Sequence, residues 1–559
     1  MSRSETAPVR MTAGKALVEA IRREGVRHVF CVPGESYLAA LDAFYDVPEI
    51  RLIVNRQEGG ACFMAEAYGK STRKVGVAFV TRGPGATNAS IGVHAARQDS
   101  TPLVLFVGQV PRAFRGKEAF QEVDYEHFFG TMAKWVVEVS RGEDMASVTA
   151  RAFQVARGGR PGPVIVVLPE DVLVEEAEYR FASPQAHTPP HPDPLAVARW
   201  VDAVNRAAKP AMIVGAGVRF ADARQALVAF SERFQVPVLT GFRRLDSFPN
   251  DHAHYVGNLG LGKSPAQDVI READLVIAVG TRLPEITTAE YKLPMPGQRL
   301  IHVDISESEI GRNFPVELGI VSDARLALET ALEQPAPPPN EGRAAWIRKH
   351  RRIFEQYGVP KPRQVGGVPM ERVMEDFARA LPKDAIMTVD AGNFSGWIHR
   401  YWCYSAEDSF LGPTLGSMGY AIPSALAAKL AHPGRVVIGN CGDGGFMMTV
   451  QEIATAVQFG INAIICVYNN SSFGTIRMHQ ERDFPGRGVA TDLKNPDFAA
   501  LANSMGALGL RASMPDEFLP ALEQALAARR PAVIEVVTDI ENLAVGGTLS
   551  ELRAKHSAR

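Results

Sequence analysis

Gly442-Asp443-Gly444 is followed, 27 residues after its aspartate, by Asn470 within Tyr468-Asn469-Asn470-Ser471-Ser472. The segment between reads as a turn at the glycines, a helix over about 449–459 and a strand over 463–468. One βαβ unit of this kind sets Asp443 and Asn470 beyond the carboxyl ends of neighbouring parallel strands, where ligands bind in open α/β sheets. A carboxylate and a carboxamide are hard oxygen ligands, suited to Mg²⁺ or Ca²⁺, and Mg²⁺ completes its shell with phosphate oxygens and water. The flanking glycines let the backbone approach a phosphate closely. Taken alone, the same residues also read as a surface turn and a strand-end cap.

A second carboxylate, Glu58, stands in Arg56-Gln57-Glu58-Gly59-Gly60-Ala61, after a strand at 51–54 and at the start of a helix. A first-turn carboxylate is ordinarily stabilised by the helix dipole. Thr81-Arg82-Gly83-Pro84-Gly85-Ala86-Thr87-Asn88 also leads from a strand into a helix.

The elements that must position these groups follow from the pattern. Proline-rich stretches at 183–194 and 335–342 lack amide donors and favour extended linkers. They divide the chain into domains at 1–182, 195–334 and 343–543, with a tail at 544–559. Apolar β-branched runs at 51–54, 75–80, 103–107 and 164–168 read as strands of the first. Runs at 211–214, 275–279 and 300–303 serve the second, and 385–389, 436–438 and 463–468 the third. Strands apolar throughout and separated by helices predict parallel sheets covered on both faces. The expected fold is three doubly wound α/β domains.

The 60 basic and 62 acidic residues leave a formal charge of −2. That excludes a general nucleic-acid binder, which shows a basic domain or face, and removes the electrostatic case for an anionic membrane surface. No run approaches the roughly 18 apolar residues of a membrane span, and residues 1–11 carry no apolar signal core. Cys31, Cys62, Cys403, Cys441 and Cys466 are odd in number and form no CxxC pair, so neither a disulfide scaffold nor a zinc knuckle is expected. These features point to the cytoplasm.

From Thr12 to about Leu552 the chain resembles the thiamine-diphosphate enzymes, in their acetohydroxyacid (acetolactate) synthase and 2-oxo acid decarboxylase branch. The resemblance implies that Asp443 and Asn470 bind Mg²⁺ through side chains and Ser472 through its carbonyl. Gly442, Gly444, Gly445, Gly474, Thr475 and Ile476 would line the same diphosphate–metal site. Gly416-Ser417-Met418-Gly419-Tyr420 resembles the segment beneath the cofactor: Met418 would wedge between its two rings, and the Gly416 carbonyl would accept from the 4′-amino group. Ala391, Gly392, Asn393 and Phe394 occupy the position of the family's diphosphate contacts. Glu58 resembles the catalytic glutamate, whose carboxyl bonds N1′ of the aminopyrimidine and so promotes loss of the thiazolium C2 proton. Burial and a raised pKa would help that task. Gly83 and Asn88 fall in the loop beside the pyrimidine. Phe120-Gln121-Glu122 resembles the synthase Phe-Gln-Glu, with Phe120 and Gln121 facing substrate, and Lys134 falls where that branch has an active-site lysine. In the family, domains of different subunits build each site, which implies a homodimer or homotetramer.

Other positions depart from the synthases. Val214-Gly215-Ala216-Gly217 is a GxG after a strand, a weak signal alone, while Ala278-Val279-Gly280-Thr281-Arg282 and His302-Val303-Asp304-Ile305 resemble FAD-bearing synthases. Leu283-Pro284-Glu285 replaces their acidic stretch, and Tyr255-Val256-Gly257-Asn258-Leu259-Gly260 departs from their flavin loop. FAD, ADP and an empty cleft therefore all stay open. Gln57 stands where synthases have His, and His479 where they have a Trp that shapes the acceptor pocket. The expected activity is decarboxylation of a 2-oxo acid with carboligation to a second carbonyl. The alternatives are another 2-oxo acid decarboxylase, a lyase, a sulfoacetaldehyde-type transferase, or a non-catalytic cofactor-binding homologue.

Overall fold

The computed structural model describes residues 8–181, 188–361 and 363–557. Three six-stranded sheets, each parallel throughout, carry the chain. The first runs Arg51–Val54, His28–Cys31, Gly76–Val80, Leu103–Gln109, Pro163–Pro169, Trp135–Glu138. The third runs Phe410–Leu411, Ile386–Val389, Val437–Gly442, Ile464–Asn469, Ala532–Val537, Leu508–Ala512. Numbered by first appearance within each domain, both have the strand order 2-1-3-4-6-5. The central sheet runs Tyr255–Asn258, Val238–Thr240, Pro210–Val214, Leu275–Val279, Arg299–Asp304, Leu318–Val321, which is the dinucleotide-binding order 3-2-1-4-5-6. A two-stranded antiparallel ribbon pairs Val9–Thr12 with Glu176–Tyr179.

The inner strands are buried from end to end, as Leu103–Gln109 and Pro163–Pro169 show. Helices on both faces remove water from both sides, which is why their sequence is apolar without alternation. Every strand expected from sequence is present. Most of the missed ones are short or at an edge, such as Trp135–Glu138 and Leu318–Val321, where half-exposed positions break the apolar run; the inner strand Ala532–Val537 is missed as well, its apolar run interrupted by Glu535.

Two expectations are corrected. No turn separates the glycines after Val437–Gly442 from the helix: helical structure begins at Asp443 and runs as Asp443–Thr449 and then Glu452–Phe459. The third domain does not begin at 343. That residue lies inside the helix Glu341–Tyr357, which packs on the central domain. The buried Arg343 guanidinium donates to the carbonyls of Phe234 (3.0 Å) and Val204 (2.6 Å), and the Trp346 indole N–H donates to Glu272 (3.0 Å). The third domain starts near Val368, whose amide donates to the Val537 carbonyl. Tyr255–Asn258, within the segment that departs from the family's flavin loop, is an edge strand of the central sheet. Residues 182–187 of the first proline-rich stretch, most of the 1–11 segment and the last two residues of the tail lie outside the described residues.

The first and third domains of one chain share an apolar core. The helix Glu58–Thr72 (EGGACFMAEAYGKST) lies against Ala421–Ala431 (AIPSALAAKLA), and both present small residues. A Cβ on Gly92 would fall 2.5 Å from the Cys62 Cβ, so helix Gly83–Asp99 also packs at close range.

At the edge of this core, charges are fully buried. The Lys70 ammonium lies 3.0 Å from both Glu66 and Asp99. Asp99 accepts from Arg244 of the central domain (2.5 Å) and from the Thr414 hydroxyl of the third (2.9 Å). The Tyr420 hydroxyl donates to Glu66 at 2.6 Å. Burial alone would raise the Asp99 pKa; Lys70 and Arg244 more than offset this and hold it below its ordinary value. Removing one partner of such a cluster strands the rest, so Lys70→Met is expected to cost roughly 3–5 kcal/mol in urea unfolding. With a depressed folded pKa, the contribution of Asp99 is present above about pH 4 and lost as pH falls through the folded value. The stability gap between wild type and Asp99→Asn should therefore narrow on acidification below about pH 4; a gap that widens would refute the assignment.

Candidate active site

In the third sheet the strand order reverses between Ile386–Val389 and Val437–Gly442. At their carboxyl ends opens a cavity of about 270 Å³. Every third-domain residue assigned above to cofactor or metal lines it, from Ala391 to Ile476. His479 does not; it lies further along the helix Gly474–Asp483 whose first turn faces the cavity.

Oxygen atoms gather at one end. The Asp443 carboxylate accepts from its neighbour Gly444 N–H (2.9 Å), from Ser472 N–H (3.2 Å) and from the Asn495 amide (2.8 Å). Asn470 Oδ1 accepts from Ser472 N–H at 3.1 Å. Ser471 takes a left-handed φ of 54°, which turns the chain back on itself. Burial raises the Asp443 pKa, and the bonds from Asn495, Gly444 and Ser472 oppose it. The Ser472 hydroxyl oxygen is buried without a partner. Among the described residues no cluster of three or more His, Cys, Asp or Glu forms a metal cage. A cation here would combine one carboxylate with amide and carbonyl oxygens, the sparse protein shell that suits Mg²⁺ beside a diphosphate.

A residue that the sequence did not flag organises the other wall. Asp390 follows Ile386–Val389 and is fully buried. Its carboxylate accepts from Gly419 N–H (3.0 Å) and Ala421 N–H (2.5 Å). Burial pushes its pKa up to about 6, against those amide bonds. Ala391 N–H donates to the Ser417 carbonyl, so the two loops are pinned side by side. A Cβ on Gly445 would lie 2.2 Å from Asp390 Oδ2, and that close approach requires glycine. Asn393 and Thr475 exchange bonds of 3.1 Å across the cavity. Asp390 escaped notice because it reads as the end of an apolar strand, and Asn495 because Asn495-Pro496 reads as an ordinary turn.

The first-domain residues form a separate group. Glu58 opens the helix Glu58–Thr72, half-buried, and accepts from Asn88 at 2.9 Å. Gly83 N–H donates to the Gln121 carbonyl (3.0 Å), and a Cβ on Gly83 would strike that oxygen. Gln121 has φ 66° and a buried, unpartnered side-chain oxygen, while Phe120 is 74% exposed. Gln57 caps the helix, accepting from Gly60 N–H at 3.0 Å. Glu452 of the third domain accepts from the amides of Arg56 (3.1 Å) and Gln57 (3.2 Å) and fixes the approach. Among the described residues, none from the first domain lines the third-domain cavity.

Lys134 is not brought to either group. Its ammonium donates to the carbonyls of Val155 (2.5 Å) and Gly158 (2.6 Å) at the C-terminal end of helix Met145–Arg157. Burial lowers its pKa to about 8. A half-buried cation satisfying terminal carbonyls is a helix cap.

A second cavity, of about 340 Å³, opens at the switch point of the central sheet. Gly215-Ala216-Gly217 and Gly280-Thr281-Arg282 form its floor, and Asp304 closes the end of Arg299–Asp304. Gly215 is explained without any ligand, since a Cβ there would meet the Gly280 carbonyl at 2.4 Å. Tyr255–Asn258 does not line this cleft.

Three family models match the chain. The thiamine pyrophosphate enzyme N-terminal TPP binding domain covers 11–128, the central domain 197–331 and the C-terminal TPP binding domain 390–536. The acetolactate synthase large subunit of Parasynechococcus marenigrum is 34% identical over 546 residues, 95% of this chain and 88% of that protein. That of Haemophilus influenzae is 30% identical over 561 residues, 97% and 98% of the two chains. That of Corynebacterium glutamicum is 33% identical over 548 residues, 95% and 87%.

The placement of Lys134 makes a prediction. Lys134→Met leaves two helix-end carbonyls unpaired and should lower unfolding stability by roughly 1.5–3 kcal/mol. Binding in the third-domain cavity, measured by titration calorimetry, should be unchanged. A loss of turnover without a loss of stability would return Lys134 to the active site.

Proposed function

The chain belongs to the thiamine pyrophosphate enzyme family, and from that premise we propose a specific activity. It is a thiamine-diphosphate- and Mg²⁺-dependent enzyme that decarboxylates a 2-oxo acid and joins the product to a second carbonyl, in the manner of an acetolactate synthase. The observation that carries this reading is the third-domain cavity, which unites several glycines, a sparse oxygen set and Met418 at one switch point. When bound, thiamine diphosphate supplies the carbon nucleophile and the electron sink for decarboxylation.

The residues divide the remaining work. Asp443, Asn470 and Ser472 would hold the Mg²⁺. Ala391–Phe394, Gly442, Gly444, Gly445 and Gly474–Ile476 would surround the diphosphate. Met418 and the Gly416 carbonyl would set the ring conformation. Glu58, oriented by Asn88, would exchange a proton with N1′ of the aminopyrimidine. Gly83, Phe120 and Gln121 would border the same ring and the substrate. The separation of Glu58 from its own chain's cavity supports a site completed by another copy, hence a homodimer or homotetramer.

A second reading, another 2-oxo acid decarboxylase, a lyase or a sulfoacetaldehyde-type transferase, is favoured by Lys134, whose ammonium is occupied elsewhere, and by His479. A screen of 2-oxo acids with and without aldehyde acceptors separates the readings by product. The central cleft is proposed as a nucleotide site: visible bands in the absorbance spectrum of purified protein identify FAD, and a colourless protein means ADP or an empty cleft.

Asp443→Ala and Asn470→Ala are each expected to abolish Mg²⁺-dependent retention of thiamine diphosphate while the fold survives; wild-type affinity in either would remove the metal assignment. Glu58→Gln should retain the cofactor but lose at least about 100-fold in turnover, the lower range of general acid–base contributions. Mixing Glu58→Gln with Asp443→Ala chains should restore part of the activity. No rescue, once subunit exchange is demonstrated, counts against a shared site.

A further inference from the structure

Arg243 lies in the central domain, in the loop that follows the strand Val238–Thr240. Its neighbours Gly241, Phe242 and Arg244 line the central cleft, but Arg243 does not. It is 3% exposed and points into the third domain. One of its terminal nitrogens donates to the Pro413 carbonyl at 2.8 Å, and the other to the Asp390 carbonyl at 2.9 Å. These two carbonyls stand at the roots of the two loops that wall the cofactor cavity. Asp390 leads directly into Ala391-Gly392-Asn393-Phe394. Pro413 precedes Gly416-Ser417-Met418, and its carbonyl also accepts from Gly416 N–H. A planar guanidinium with fixed donor geometry therefore sets the spacing of both roots at once.

The backbone at Arg243 has φ 56°, in the left-handed region that a long side chain seldom adopts. Such conformations persist only where the surroundings over-determine them, and they gather at functional sites. The loop is held by Gly241 N–H on the Val214 carbonyl and by Phe242 N–H on the Thr287 hydroxyl. Burial lowers the Arg243 pKa to about 10, which leaves the guanidinium charged at neutral pH.

We propose that Arg243 is a positioning residue for the cofactor chemistry: from the central domain it clamps together the two loops, 390–394 and 413–420, that flank the cofactor cavity. The proposal rests on the reading of that cavity as the thiamine-diphosphate site. It also makes the floor of the central cleft continuous with the walls of the active site, through residues 241–244.

A control is built into the same interface. Arg224, also of the central domain, donates to the Ser405 carbonyl of the third domain at 2.6 Å, away from both loops. Arg243→Gln and Arg224→Gln should each weaken the interdomain contact, but only the first should loosen the loops. In cofactor-free protein, hydrogen exchange read by mass spectrometry should accelerate at 390–394 and 413–420 in Arg243→Gln and not in Arg224→Gln. The amides of Ala391, Gly416 and Gly419 are the reporters, since each has a bond there. In the loaded enzyme, Arg243→Gln should lose about 10–100-fold in kcat with little change in KM for the donor, as expected of misplaced reacting groups. Arg243→Lys keeps the charge and loses the fixed fork, and it carries the same comparison if the Gln variant does not fold. Equal exchange in the Arg243 and Arg224 variants, or wild-type kcat with Arg243→Gln, overturns the proposal. If wild type binds no thiamine diphosphate, the reading of the cavity fails, and the exchange comparison still decides whether Arg243 holds the loops.

Discussion

The cofactor cavity depends on a carboxylate placed where a strand runs out. A helix begins with amides that have no intrahelical partner, as Ala421–Ala431 does, and those groups need partners when they are buried. Asp390 supplies one set of partners in the third domain. Its two oxygens take the amides of Gly419 and Ala421, which turns the Gly416–Tyr420 segment toward the strand end of Val437–Gly442. The cost of keeping that carboxyl in the interior is visible in its raised pKa. Gly445 must lack a side chain because Asp390 is there. The wall, the glycine at 445 and the placement of Met418 thus follow from one buried group.

The first and third domains solve the same topological problem with the same strand order. They use the carboxyl ends of their strands differently. The third domain opens a cavity there, whereas the first presents Glu58 at a helix start beside Asn88. Within a chain they are fused through a shared core and a buried charge cluster to which all three domains contribute. A cluster of this kind is weak as a source of stability but strict about geometry, because each partner removed leaves a buried charge behind.

Much of this was legible in the sequence for identifiable reasons. Long inner strands show themselves by unbroken apolar runs, and Gly442-Asp443-Gly444 with Asn470 marks one βαβ unit by its spacing together with the rest of the chain. What escaped reading depends on contacts distant in the chain. Asp390 acts on residues about 30 positions away, and Asn495 reaches Asp443 from 52 positions away. Local sequence does not reveal that the Lys134 ammonium reaches the end of a helix over 20 residues on. The helix Glu341–Tyr357 was divided because a proline run marks a linker but not the side on which the next helix packs.

The pairing of Glu58–Thr72 with Ala421–Ala431 bears on how this protein can be recombined with its relatives. Both helices bring alanines to their shared core, and their surfaces fit only as a matched pair. A chimera that exchanges one domain alone joins a native face to a foreign one, and a single added methylene then has nowhere to go. Crossover points should therefore be chosen so that these two helices, 350 residues apart in the chain, travel from the same parent.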